Sequence, residues 1–243
     1  MKNNTRNIVD LKQGNIREII RILKTSPDIT RNEIAEKMAM TMASAHNFIS
    51  ELLEKKICVS SGTVSPLSNG RRAMKYRMNK NYGYITGITL ARTSINFTAY
   101  DLGNGLLAEN THACDIHDME TTADKLLSGV TEFMSEKKLN NKNCLCMGIT
   151  IPGRADKNGR IALLPDAGVW SGYPLKDIFE QKFNMPVYVD NDNNAYMLAA
   201  KWLGATSGEE KAVFFSMTEG VGMSVINAQG LLHQDMNPIC RAD

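Results

Sequence analysis

Apolar residues recur at helical spacing through the first part of the chain and at alternating or continuous strand spacing after it. In IREIIRILKTS, Ile16, Ile19, Ile20 and Leu23 fall on one helix face, and Ser26-Pro27 stops the pattern. TRNEIAEKMA opens with Thr30 and carries Glu33 three residues later, a capping-box pattern that turns Ile34, Ala35 and Met38 inward. A short turn at Met40-Thr41 leads into MASAHNFISELLEKKI, where Ala45, Phe48, Ile49, Leu52 and Leu53 form a third stripe. Three helices with a tight second connection predict a helix-turn-helix unit. ICVSSGTV and RRAMKYRMN then read as the strands of a hairpin, with Asn69-Gly70 near its tip.

The pattern changes at Tyr84. YITGITLARTSINFTAYDLGNGLLAE predicts three short strands, and TTADKLLSGVTEFMSEKK predicts a helix buried through Leu126, Leu127, Val130, Phe133 and Met134. CLCMGITIPG reads as a buried strand ending in a Pro-Gly turn. PLKDIFEQKFN is a helix, MPVYVDN a strand, NAYMLAAKWLG a helix, and AVFFSMTEGVGMSVIN a hairpin with glycines around its turn. Strands followed by alternating helix and strand predict an α/β layer whose ligands bind at the carboxyl ends of the strands.

Charge divides the chain at the same place. Residues 1–82 hold 15 Lys/Arg against 7 Asp/Glu, while the remainder holds 13 against 19. A basic first segment on an acidic body points to a polyanion partner, duplex DNA, for that segment alone. Short polar side chains at the start of the third helix (Thr41, Ser44, His46 and Asn47) suit base edges or phosphates. Arg71 and Arg72 on the hairpin suit phosphates or the minor groove. The other readings are a three-helix protein-interaction module and, for His46, an ordinary surface histidine.

Composition removes other classes. With 243 residues the chain holds one large domain or two smaller ones. No apolar run approaches the roughly 18 residues of a membrane span, and MKNNTRNIVDLKQGN has no signal-peptide pattern. A cytoplasmic protein with no membrane partner is the expectation. Cys58, Cys114, Cys144, Cys146 and Cys240 are an odd, scattered set, which argues against a disulfide framework. Cys144 and Cys146 sit in an alternating strand without a second ligand pair nearby, so no metal is expected there.

The ordered stretches GITLARTSIN, GITIPGRADKNGRI, VYVDNDNNAYMLAAKW and MTEGVGMSVINAQG resemble the ROK family of repressors and sugar kinases. LSNGRRAMKYRMNKNYGYITGI is similar to the junction that joins a winged helix to that fold in ROK repressors. The resemblance implies a winged helix-turn-helix over residues 1–82. It implies an actin-like ATPase, ribonuclease H-like domain over residues 83–243, with an incomplete second lobe. Kinases of the family carry a GxDxGGT pattern in the first hairpin, where glycines admit phosphate and the carboxylate helps hold the nucleotide's metal. Here Thr89 stands at the acidic position and Ala91 and Arg92 replace the glycines. Thr218, Gly220 and Gly222 partly keep the second phosphate hairpin, but Glu219 adds a negative charge. The chain reaches Asp243 before the family's sugar-contacting Glu/His motif and cysteine-rich zinc loop become recognisable, with Cys240 outside any cluster. Neither ATP nor zinc is therefore expected as a cofactor.

The implied function is a sugar-responsive transcriptional regulator, a repressor of carbohydrate-utilisation genes acting as a homodimer on a DNA operator. Its effector is a sugar or sugar phosphate, and no catalytic residue is assigned. By resemblance Asn191 and Asp192 hydrogen-bond sugar hydroxyls, and Gly153 shapes the pocket wall. Asp192 has two other readings: a helix cap before NNAYMLAAKW, and the general base of a ROK sugar kinase. A truncated regulator that binds DNA without sensing sugar is the third functional reading. Xylose, glucose and N-acetylglucosamine derivatives are all family precedents, so the sugar stays open.

Overall fold

A computed structural model of the chain describes residues 2–64, 72–204, 206, 209–217, 221–227 and 230–232. It divides into two units, Met1–Gly83 with Asp101–Gly105, and Tyr84–Tyr100 with Leu106–Asp243.

In the first unit helix α1 (Lys2–Thr25) starts well before the Ile16 stripe, since no proline interrupts MKNNTRNIVDLKQGN, and it ends just ahead of Pro27. Asp28 takes a left-handed φ of 67° and turns the chain into β1 (Ile29–Thr30). Helix α2 (Arg31–Lys37) starts on the full capping box: the Glu33 N–H donates to the Thr30 hydroxyl at 3.3 Å, and the Thr30 N–H donates to the Glu33 carboxylate at 2.7 Å. Helix α3 (Met42–Glu54) follows with Thr41 as its cap, and the hairpin strands are β2 (Cys58–Val64) and β3 (Ala73–Met78). The sheet runs β1-β3-β2, both pairings antiparallel. A two-residue strand has no periodicity to read, which is why β1 is not visible in the sequence. Ile19, Leu23, Ile34, Ala45, Ile49, Leu52, Tyr76 and Met78 share one core. The Asn69-Gly70 tip lies outside the described residues.

The second unit is built on β4 (Tyr84–Leu90), β5 (Ser94–Asp101), β6 (Leu106–Ala113), β7 (Cys144–Ile151) and a later strand, β10 (Val187–Asn191). Their order is β10-β7-β4-β5-β6, with β10 and β4 parallel to β7 and β5 antiparallel to β6. A short hairpin, β8 (Arg154–Ala155) with β9 (Ile161–Leu163), follows β7 and was not legible as strands. Helices α4 (Met119–Glu136) and α5 (Leu175–Phe183) bury Leu126, Val130, Phe133, Leu175 and Phe179 in the core formed with Ile88, Phe97, Met147 and Ile149. The indole N–H of buried Trp170 donates to the Ile116 carbonyl at 2.7 Å. Helix α6 (Asp192–Leu203) leaves the end of β10. A small antiparallel sheet of β11 (Ala212–Met217), β12 (Val221–Asn227) and β13 (Gly230–Leu231) follows.

The parallel register fixes the location of any site. Thr89 pairs with Thr150, and Asn191 with Ile151, so β4, β7 and β10 all end at one edge. Among the described residues no helix is long and apolar enough to cross a membrane.

Gly129 tests this packing. A Cβ there would lie 2.5 Å from the Phe97 ring. Alanine is the better helix former by about 1 kcal/mol, but overpacking a filled core costs about 1–3 kcal/mol. Gly129→Ala is therefore expected to lower the thermal midpoint in a melting experiment, against its helix propensity.

Candidate functional site

The edge where β4, β7 and β10 end opens into a cleft of about 290 Å³, lined by Thr89, Arg92, Asn191, Asp192, Ser216 and Gly222 among others. Asp192 is the one carboxylate, and Arg92 the one guanidinium, among its described lining residues.

The run Asn191–Asn194 gives each side chain a separate partner. The Asn191 side-chain oxygen accepts the Asn193 N–H at 2.9 Å, so Asn191 is the cap of α6, while its amide donates to the Gly153 carbonyl at 2.8 Å. The cap reading of Asp192 is corrected by one residue: Asp192 is the first residue inside the helix, because Asn191 keeps the extended backbone a cap requires. The Asp192 carboxylate accepts from the backbone and side-chain N–H groups of Asn193 at 2.8 and 3.0 Å. Asn193 in turn accepts from the Ser216 hydroxyl. Asn194 donates to Asp190 at 2.8 Å and accepts from Ser224 at 2.6 Å, tying β10 and α6 to β12. Burial pushes the Asp192 carboxyl above the ordinary carboxylate value, against the lowering effect of the hydrogen bonds around it.

Gly153 is not among the residues lining the cleft. It supports the site from behind: a Cβ there would meet the Leu163 carbonyl at 2.1 Å, so only glycine lets β9 pass this close. Gly222 has a similar role, since a Cβ would lie 2.2 Å from the Asn193 amide. Ser216, Tyr196 and Pro165 are lining residues that sequence reasoning missed. Gly222 had a legible signal as a turn glycine; Ser216 had none, being one small polar residue in an alternating strand.

Among the described residues the rest of the cleft is neutral or cationic. Thr150 donates to the Thr89 hydroxyl at 3.2 Å. The Ala91 N–H donates to the Ser94 carbonyl at 2.8 Å and is consumed within the hairpin. Arg92 pairs with Asp166 at 3.4 Å. Thr218, Glu219 and Gly220 lie outside the described residues. A carboxylate among amides and hydroxyls can both accept from and donate to a polyol.

The first unit offers a second surface. Thr41 caps α3, accepting the Ser44 N–H at 3.2 Å and donating to the Ser44 hydroxyl at 3.0 Å, so these two side chains are committed to each other. His46 and Asn47 are exposed. His46 and Arg72 line one cavity of about 750 Å³ with Arg31, Asn32, Ser60 and Tyr76. Arg71 and Cys240 lie outside the described residues. Among the described residues no group of three or more His, Cys, Asp or Glu is placed to hold a metal.

Parallel strands that end on a cleft at a helix amino terminus are a feature of the α/β fold shared by actin-like sugar kinases and ROK regulators. The chain belongs to the ROK family, whose profile matches residues 85–234. It is 28% identical over 205 residues to the xylose repressor of Bacillus spizizenii, covering 84% of this chain and 53% of that protein. It is 24% identical over 221 residues to the DNA-binding transcriptional dual regulator NagC of Escherichia coli, covering 90% and 54%. The chain thus spans about half the length of the curated relatives it matches. Among solved structures, a ROK family transcriptional regulator homologous to the E. coli MLC protein superposes with a TM-score of 0.76 at 21% identity, over 95% of this chain and 58% of that one. A ROK family glucokinase from Streptomyces griseus, solved with glucose and AMPPNP, superposes at 0.55 and 23% identity, over 65% and 49%.

The raised Asp192 carboxyl makes stability depend on pH. The folded chain holds this proton more tightly than the unfolded chain does. That contribution is full below the unfolded value near ~3.9 and is lost as pH rises through the folded value. Asp192→Asn is therefore expected to melt above the wild type at neutral pH, with the gap closing as pH falls toward about 4. Thermal melts across that range check it; a gap that widens in acid would contradict the burial argument.

Proposed function

We propose that the chain is a sugar-responsive DNA-binding transcriptional regulator, a repressor of carbohydrate-utilisation genes whose ROK domain senses its ligand without phosphorylating it. In this reading residues 1–82 form a winged helix-turn-helix, and residues 83–243 form the first lobe of the ROK domain and the start of the second. The observation that carries the non-catalytic half is at the first hairpin of the cleft. Arg92 stands where kinases of the family place glycine and is held by Asp166, the Ala91 N–H is already spent, and Thr89 supplies no charge for a metal. A general base works only with a nucleophile and a held phosphoryl group in reach. The name of the xylose repressor supports the repressor half, and that of NagC, a DNA-binding transcriptional dual regulator, supports DNA-binding regulation.

Asp192 and the second amide N–H of Asn191 take the sugar hydroxyls, with Gly153 holding Asn191 in place. Thr41, Ser44, His46, Asn47, Arg71 and Arg72 form the DNA surface, with Thr41 and Ser44 acting chiefly to fix the start of α3. Operators for such units are commonly two-fold symmetric, which favours a homodimer on DNA; sedimentation showing a strict monomer on its duplex would remove that element.

Two measurements test the reading. The full chain should bind duplex DNA with an affinity that falls as salt rises, and Arg72→Ala should weaken all sequences alike and flatten the salt slope by about 0.9 for each phosphate no longer neutralised. Asp192→Asn should leave sugar-free DNA affinity unchanged and weaken any sugar effect by roughly 1.5–3 kcal/mol, the worth of a hydrogen bond to a charged group. The kinase reading is favoured by one observation, the raised Asp192 carboxyl that suits a base. Sugar-dependent ADP release that disappears in Asp192→Asn would establish it and reject the proposal.

A further inference from the structure

We infer that Arg31 is a phosphate-binding residue, gripping the backbone of duplex DNA from the cavity that it shares with His46 and Arg72. The inference rests on the DNA-binding reading of the first unit and names a contact outside the third helix and the hairpin arginines. Arg31 lies at the start of α2, and its guanidinium carbon sits 5.0 Å from the centroid of the Tyr76 ring. Tyr76 is only 2% exposed and belongs to the core, so the ring is a fixed platform. A guanidinium held over a fixed ring by a cation–π contact is confined in advance, so less side-chain freedom is lost when it binds an anion.

Among the described residues the Arg31 side chain is also short of an acceptor at one atom. Its Nε is buried with no hydrogen-bond partner among the described residues. Arg21, Arg77 and Arg160, by contrast, each meet a carboxylate. A buried donor without an acceptor costs free energy, and the half-buried Arg31 side chain that carries it lines the cavity, from which an anion can reach the rest of the guanidinium. The cavity limits that partner's charge. Arg31, His46 and Arg72 line it with the polar Asn32 and Ser60, and no Asp or Glu is among its described lining residues. A planar fork between further cationic and polar donors matches a tetrahedral anion with several accepting oxygens. On a unit with a surplus of positive charge, a phosphodiester of the DNA backbone is the anion that presents itself at this spacing repeatedly.

The test is a salt titration of the full chain on a mixed-sequence duplex, following binding by fluorescence anisotropy. Arg31→Ala is expected to lower affinity by roughly tenfold at fixed salt and to flatten the log–log slope by about 0.9, as one phosphate contact should. Arg31→Lys keeps the charge but loses the planar stack; the slope should stay near the wild-type value while affinity falls several-fold. Circular dichroism of each variant separates unfolding from weakened binding, and the lysine variant carries the test if the alanine variant does not fold. Wild-type affinity and slope in both Arg31 variants would overturn the inference, leaving the stack as a structural contact only. No binding by the wild-type chain at low salt would overturn the DNA-binding reading and this inference together.

Discussion

Everything at the cleft depends on one amide. Asn191 donates to the Gly153 carbonyl and accepts the Asn193 N–H, so a single side chain joins the turn after β7 to the first turn of α6. Two parallel strands must end together there, and a helix must begin at once, with its first N–H groups otherwise unpaired. An aliphatic residue would take this donor from the Gly153 carbonyl and leave the Asn193 N–H to the Asp192 carboxylate alone. Aspartate would satisfy only the helix, since an ionised carboxylate cannot donate. The neighbouring amides extend the same logic, Asn193 to Ser216 and Asn194 to both Asp190 and Ser224. With its neighbours so engaged, Asp192 is presented at the cleft and its backbone is held.

That arrangement is separable from nucleotide chemistry. The helix start and the parallel strand ends would be needed by a kinase and a sensor alike, and the superposition on a glucokinase reflects that shared frame. What differs is the hairpin opposite. Phosphate needs open backbone N–H groups and room, which glycine supplies and a side chain removes. Arg92 lines that room and is paired with Asp166. The proposed function rests on this contrast: the groups proposed to hold a sugar stand in one cleft with a hairpin that carries Arg92 and an Ala91 N–H already paired.

Much of this was legible in the sequence because apolar periodicity reports burial directly. The stripe of α3, the alternation of β7 and the helical spacing of α4 all occur where the pattern put them. Three kinds of feature escaped. Strands as short as Ile29–Thr30 and Arg154–Ala155 have no period, and exist because longer neighbours present an edge. The choice of cap within DNDNN could not be made by residue type, since Asp and Asn cap equally well; the extended backbone of Asn191, inherited from β10, decides it. Contacts distant in sequence were also invisible. Nothing in TRNEIAEK indicates that Arg31 would lie on Tyr76, or in AVFFSM that Ser216 would reach Asn193.

The two units solve the same problem at their helix starts, and the solution determines which polar residues remain for function. Each helix leaves several N–H groups that some side chain must take. In the first unit Thr41 takes one and engages Ser44, which removes two of the polar groups that looked available and leaves His46 and Asn47, one turn further on, exposed. In the second unit Asn191 takes it, and Asp192, one residue further on, is left for the cleft. A polar residue beside a helix start is thus either spent on the backbone or placed by it. Sequence reading finds the group of residues, and only the backbone conformation at the cap sorts those that hold the helix from those the helix presents to a ligand.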